Sequence, residues 1–110
     1  MASVYKVLAQ NNPSATTETT LYTVPASTSA VVSTISIANQ AGSSGTYRIA
    51  VRPAADASTA KKHWIVYGAT VGASDSIMLT LGLTLAAGDL IRVFASSADM
   101  SFSAFGSEIS

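Results

Sequence analysis

The chain is a succession of short segments in which apolar and polar side chains alternate, separated by turn residues at intervals of a few to about a dozen residues. The clearest example is the stretch 85–93, LAAGDLIRV. There the Gly88-Asp89 pair predicts a tight turn, and apolar residues then recur at every second position. This spacing of short strands and turns is typical of β-sandwiches and barrels. Apolar residues nowhere recur at three- and four-residue spacing over three turns, so no long helix is predicted.

The alternation predicts about eight strands in a single domain that covers residues 1–110. The expected fold class is an all-β, antiparallel β-sandwich that is jelly-roll-like, although the strand count also fits an immunoglobulin-like sandwich. A Thr-rich run that ends at Thr20 is either an edge strand or a loop, and segment 54–62 holds either one helical turn or a long loop. The predicted strands are 4–9, 21–24, 30–39, 46–52, 63–69, 76–83, 90–95 and 100–106.

Composition restricts the kinds of partner that the chain can have. Hydrophobic residues make up 48% of the 110 residues and charged residues only 11%, with six Lys and Arg against six Asp and Glu. A chain of zero net charge has little long-range attraction for nucleic acid or for a membrane surface, so neither is an expected partner. Weak repulsion between copies favours a protein that packs permanently against partners.

The chain offers few of the groups on which catalysis or metal binding depends. There is no cysteine, and His63 is the only histidine, which predicts no metal site and no cofactor. His63 is expected to be a surface residue at the start of a strand. Most of the acidic residues stand in turns, where a carboxylate accepts hydrogen bonds from its own backbone. The chain is therefore predicted not to be an enzyme; a hydrolase would have only His63 as a base.

One compact group of basic and aromatic residues is the candidate contact site for a partner or a glycan. It comprises Lys61, Lys62, His63 and Trp64, with Tyr67 nearby, although strict alternation places Trp64 on the face opposite Tyr67. Tyr22 and Tyr47 could join Trp64 and Tyr67 in a stacking platform, but strand aromatics more often fill a core. Three arginines are expected to point outward, either solvated or paired with acids of a neighbouring subunit; they are Arg48, Arg52 and Arg92.

Several stretches together resemble a family of small virion structural proteins from tailed bacteriophages, especially those that infect cyanobacteria. The matching stretches cover nearly all of the chain. They are 5–10 (YKVLAQ), 21–26 (LYTVPA), 31–39 (VVSTISIAN), 46–51 (TYRIAV), 85–89 (LAAGD) and 102–106 (FSAFG).

The resemblance implies a capsid decoration (cement) protein, or a module of the tail, neck or fibre that binds a host surface glycan. The implied partners are the major capsid protein and further copies of the chain itself, as dimers or trimers. The family has no catalytic residues to carry over. No signal peptide is visible from Met1 onward. We therefore expect synthesis in the host cytoplasm and a final location on the virion.

Overall fold

The computed structural model describes residues 3–110. The signal-peptide prediction concerns the start of the chain, of which Met1 and Ala2 lie outside the described residues. Within this range the chain forms eight strands and one short 3₁₀ turn, Lys61–His63. The strands are β1 (Ser3–Asn11), β2 (Thr19–Thr23), β3 (Ser29–Asn39), β4 (Gly45–Arg52), β5 (Trp64–Val71), β6 (Ser76–Leu85), β7 (Leu90–Ala95) and β8 (Met100–Ile109).

These elements confirm the predicted all-β sandwich and each of the eight predicted strands. Most of the Thr-rich run is a loop, since β2 begins only at Thr19. Segment 54–62 is a loop that leads into the 3₁₀ turn, so both alternatives for it are partly right. Strand β8 continues to Ile109, three residues beyond the predicted end, because it is paired on both sides.

The strand order identifies the sandwich as a jelly roll. Sheet A has the order β1-β8-β3-β6 and sheet B the order β2-β7-β4-β5, and all neighbours are antiparallel. The first strand thus pairs with the eighth, the second with the seventh, the third with the sixth and the fourth with the fifth. This pattern arises when one long hairpin, with its tip between β4 and β5, is wound into two layers.

The inner faces of the two sheets form one apolar layer. The ring of Phe102, on β8, lies at the centre and meets the ring of Tyr47 edge to face, with 6.4 Å between centroids and 65° between planes. Tyr47 and Ile49 of β4 point inward as alternation predicts. The largest fully buried side chains of this core are Val24, Val32, Ile35, Ile37, Ile49, Val71, Ile91, Val93, Met100 and Phe102.

A polar clamp joins the two sheets where the apolar layer ends. The Tyr22 hydroxyl of sheet B donates a hydrogen bond to Oε2 of Glu108 in sheet A, whose Oε1 lies 2.6 Å from Nζ of Lys6. Burial and the neighbouring carboxylate raise the pKa of Tyr22. The hydrogen bonds from Lys6 and Tyr22 hold the pKa of Glu108 below its ordinary value.

The Gly88-Asp89 turn forms as predicted and links its own loop, between β6 and β7, to the loop that follows β4. Gly88 has φ of +85°, a conformation that favours glycine, and the Asp89 amide donates to the carbonyl of Ala86. The two carboxylate oxygens of Asp89 accept hydrogen bonds from the amides of Ala86 and Ala54. This carboxylate therefore has the structural role that its turn position predicts.

A close backbone approach in sheet A generates a stability prediction. A Cβ atom on Gly106 of β8 would overlap the carbonyl oxygen of Val31 and lie 3.0 Å from Cα of Val32, whereas one on Gly82 of β6 would meet nothing within 4 Å. We expect Gly106→Ala to lower the free energy of unfolding by about 2–3 kcal/mol, because strands β3 and β8 must separate locally. Gly82→Ala, the matched control, should change it by less than about 1 kcal/mol, since only the unfolded chain is restricted. Urea unfolding measures both, and equal effects would contradict the close approach.

Candidate functional site

Two irregularities in β5 determine which side chains this edge strand presents. The ladder to β4 skips Ile65, so that Trp64 and Tyr67 both lie on the outer face of sheet B while Val66 points inward. The predicted placement of Trp64 opposite Tyr67 is therefore wrong, because alternation alone does not include this bulge. A second shift leaves Gly68 unpaired beside Tyr67, with φ of +83°.

The aromatic side chains on this face form a corner with a fixed shape. The rings of Trp64 and Tyr67 are nearly perpendicular, with 5.5 Å between centroids and 76° between planes. The Arg48 guanidinium lies between two rings, 4.1 Å from the centroid of Tyr67 and 4.3 Å from that of Phe94. These cation–π contacts orient the ring of Tyr67 even though 64% of that residue is exposed.

A depression of 380 Å³ opens at this corner and is lined by Lys61, Trp64 and Tyr67. Three of the predicted contact residues thus meet at one place. Tyr22 and Tyr47, the other members of the predicted stacking platform, are buried between the sheets, so the platform consists of two rings. We call the surface formed by Lys61, Trp64 and Tyr67 the aromatic-basic face. Lys62 lies in the adjoining 3₁₀ turn and does not line the depression.

His63 does not belong to this surface. The prediction of a surface histidine is wrong, because only 5% of His63 is exposed. Its Nδ1 accepts a hydrogen bond from the amide of Ala60 at 2.8 Å, which leaves Nε2 to donate to Oδ2 of Asp56, also at 2.8 Å. A ring that accepts at one nitrogen and donates at the other is neutral. His63 therefore supports the 3₁₀ turn that carries Lys61 and Lys62.

A second polar network fixes the loops beside the aromatic-basic face. Oε2 of Glu18, in the loop before β2, accepts hydrogen bonds from Nε of Arg92 and from the Thr59 hydroxyl, each at 2.7 Å. Arg92 also donates to the hydroxyl of Thr20, and Arg52 donates to that of Thr59. The arginines do point outward as predicted, but Arg92 is paired with an acid of its own chain.

Positive charge is concentrated on this side of the molecule. Of the six Lys and Arg residues in the chain, all but Lys6 lie on the outer face of sheet B or in the turn beside it. They share this side with the acids Glu18 and Asp56, so positive charges outnumber negative ones by three; counting Asp89 of the adjacent turn, the excess is two. The zero net charge of the chain therefore conceals a local positive field.

The described residues hold no group of three or more His, Asp or Glu side chains that could bind a metal ion. The one histidine–carboxylate pair, His63 with Asp56, stabilises the 3₁₀ turn Lys61–His63. The absence of an enzymatic activity and of a cofactor stays a prediction.

The outer face of sheet A differs from that of sheet B in its charge. Across residues 3–110 none of its outward positions carries a charged side chain, and we call it the uncharged face. Tyr5 is 84% exposed and Met78 67% exposed. The remaining outward residues are Ser, Thr, Ala, Gly and Gln. The apolar members of this face are Tyr5, Val7, Val31, Met78, Phe105 and Ile109.

The chain matches no model of a known protein family and no curated protein sequence. The resemblance to virion proteins therefore stays a prediction from the motifs. No helix within residues 3–110 is long and apolar enough to cross a membrane.

The Glu18 network predicts a pH dependence of stability. Burial alone would raise the pKa of Glu18, but hydrogen bonds from Thr59 and Arg92 and the charges of Arg92 and Arg52 hold it below its ordinary value of 4.5. The pKa is lower in the folded state than in the unfolded state. The contribution of ionised Glu18 to the free energy of unfolding is therefore complete above pH 4.5, and it is lost as the pH falls through the folded-state pKa.

We expect Glu18→Gln to remove about 0.5–1 kcal/mol of this acid-dependent stability, a modest amount because the pair is partly exposed. Urea unfolding at a series of pH values measures it. The control is Asp99→Asn, which alters an exposed acid whose carboxylate forms no ion pair with any described residue. If the free energy of unfolding of Glu18→Gln depended on pH just as that of the unmodified chain does, the role of this network would be contradicted.

Proposed function

We propose that the protein is a non-enzymatic structural component of a bacteriophage virion, a capsid decoration protein that binds the major capsid protein and other copies of itself. The observation that carries this proposal is the uncharged face. A solvated sheet face normally alternates apolar residues inward with polar and charged residues outward. A whole face without charge, bearing exposed Tyr5, Val7 and Met78, has the composition of a surface that is covered in its working state.

The size of the uncharged face fits an interface. Strands of about ten residues at about 3.3 Å per residue, four abreast at about 4.8 Å, give a face of roughly 600 Å². A specific interface of ordinary size takes about 800 Å² from each partner, so this face supplies most of one. Desolvating hydroxyl and apolar groups costs much less than desolvating charges, which makes permanent contact feasible over the whole area.

The edge of sheet A adds a second means of attachment. Strand β6 (Ser76–Leu85) is ten residues long, has one side unpaired, and contains neither a charged residue nor a proline. Natural proteins usually protect such an edge with lysine, proline or a very short strand. An unprotected edge can add a strand from a neighbouring subunit through main-chain hydrogen bonds. Repetition of these contacts over a shell adds avidity without any chemistry.

The shell proposal predicts that one charge on the uncharged face blocks binding. Met78→Asp should weaken binding to purified shells that lack the protein at least tenfold, because a carboxylate would be desolvated in the contact. Thr70→Asp, at an exposed outward position of sheet B, is the matched control and should bind normally. Co-sedimentation with the shells gives the bound fraction. Normal binding of Met78→Asp and Tyr5→Asp, with both variants folded, would exclude the uncharged face as the contact.

A second candidate function, that of a glycan-binding module of a tail or fibre, is favoured by the depression at Trp64 and Tyr67. Sugars present apolar C–H faces and polar rims, and the site offers two aromatic rings beside a lysine. Its corner is preformed, since Arg48 and Trp64 hold the ring of Tyr67 in place. The two functions use opposite faces of the sandwich, so one molecule can serve both.

The glycan proposal predicts that Trp64→Ala weakens retention on immobilised host polysaccharide by about tenfold, because a stacking ring is lost. Ile65→Ala serves as the control, since Ile65 is exposed on the same strand but does not line the depression. Affinity electrophoresis measures retention, and thermal unfolding checks that both variants are folded. Retention that survives Trp64→Ala would exclude this depression as the glycan site.

A further inference from the structure

We propose that the depression on the aromatic-basic face recognises an acidic sugar, with Trp64 and Tyr67 contacting the sugar ring and Lys61 pairing with its anionic group. This inference rests on the second proposed function, glycan binding, and specifies the chemical class of the ligand. It uses one observation that glycan binding alone does not require: a lysine lines the depression together with the two rings.

Lys61 is the cation at the depression that is free to meet a ligand. The guanidinium of Arg48 is held between the rings of Tyr67 and Phe94, and that of Arg92 is paired with Glu18. Lys62 lies 4.0 Å from Asp56. Among the described residues, Lys61 forms no ion pair. An ammonium group beside a concave aromatic surface attracts a single anionic group on a ligand that also presents an apolar face.

The position of Lys61 is fixed by the structure beneath it. The 3₁₀ turn that carries it is supported by the neutral ring of His63, which links the amide of Ala60 to the carboxylate of Asp56. A lysine on a supported turn loses less freedom on binding than one on a mobile loop. The excess of positive charge on this side of the molecule adds attraction for an anion at longer range.

The dimensions of the site favour a sugar over a nucleic acid strand. A volume of 380 Å³ is at the small end of the range for ligand pockets. A single-stranded nucleic acid needs a basic groove that follows many phosphates and several stacking rings in succession. Here one corner of two rings lies next to one unpaired lysine, which matches one or two sugar units that carry a carboxylate or a sulfate.

The test compares two ligands with the same sugar rings: a short oligogalacturonate, which is anionic, and the same oligomer fully methyl-esterified, in which each carboxylate is a neutral ester. Calorimetric titration of the full chain should give a dissociation constant for the acid that is about two- to fivefold lower than for the ester. The difference should shrink as salt is added, since the lysine is exposed. Dextran sulfate in a parallel titration distinguishes a preference for sulfate from one for carboxylate.

Lys61→Gln and Lys62→Gln form the matched pair of variants, because they remove the same charge from neighbouring positions of one turn. Lys61→Gln should bind the acid no better than the ester. Lys62→Gln should still bind the acid more tightly than the ester, with an affinity lowered only by the loss of one charge that does not line the depression. Equal affinity of Lys61→Gln and the unmodified chain for the acid would overturn the inference. So would binding of polyglutamate that is as tight as that of the sugar acid, since a peptide carries no sugar ring.

The outcomes also separate this inference from the functions on which it depends. Binding of the ester and the acid with equal affinity, abolished by Trp64→Ala, would overturn the acidic preference but leave glycan binding intact. Failure to bind oligogalacturonate, its ester and dextran sulfate would overturn the inference. Retention on host polysaccharide, measured separately with Trp64→Ala, then decides whether glycan binding itself fails.

Discussion

The pairing of β8 with β1 on one side and β3 on the other is the contact on which the rest of the structure depends. Without β8, sheet A would be reduced to an isolated first strand and the pair β3–β6. The same strand supplies the central ring of the core, Phe102, and the carboxylate of the polar clamp, Glu108. At Gly106 its backbone approaches that of β3 so closely that no larger residue fits. The uncharged face of sheet A is continuous only when this strand is in place.

The sequence predicts the strands well because each strand of an antiparallel sandwich has one side facing solvent and one facing the core. Polar and apolar residues therefore alternate within the strand itself. It predicts the Gly88-Asp89 turn for the same reason, since its chemistry is local. The bulge at Ile65 is different: it depends on how β5 pairs with β4, and no residue of β5 alone signals it. The burial of His63 likewise could not be predicted from the sequence, because it depends on the loop residues Ala60 and Asp56 folding back to hydrogen-bond with the ring.

The candidate site shows the same division between local and non-local information. Lys61, Trp64 and Tyr67 stand out in the sequence as a basic-aromatic group, and they do meet at one depression. Arg48 could not be assigned to that group from the sequence, because it comes from another strand and reaches Tyr67 only through the register of β4 and β5. The separation of charge is also a product of topology. Positive and negative side chains are equal in number over the whole chain, but winding the hairpin into two layers brings most of the positive ones to the side of sheet B.

The winding of the hairpin has a consequence for how the protein is made. Because translation proceeds from the amino terminus, the partners β1 and β3 leave the ribosome long before β8 exists, and their hydrogen-bonding edges stay open meanwhile. Contacts between such distant segments also form slowly, since a long loop must close first. A nascent chain that stalls before β8 therefore exposes two unpaired strand edges, and that of β3 belongs to a strand without a charged residue. Such an edge can pair with another chain, so aggregation is the hazard of incomplete synthesis.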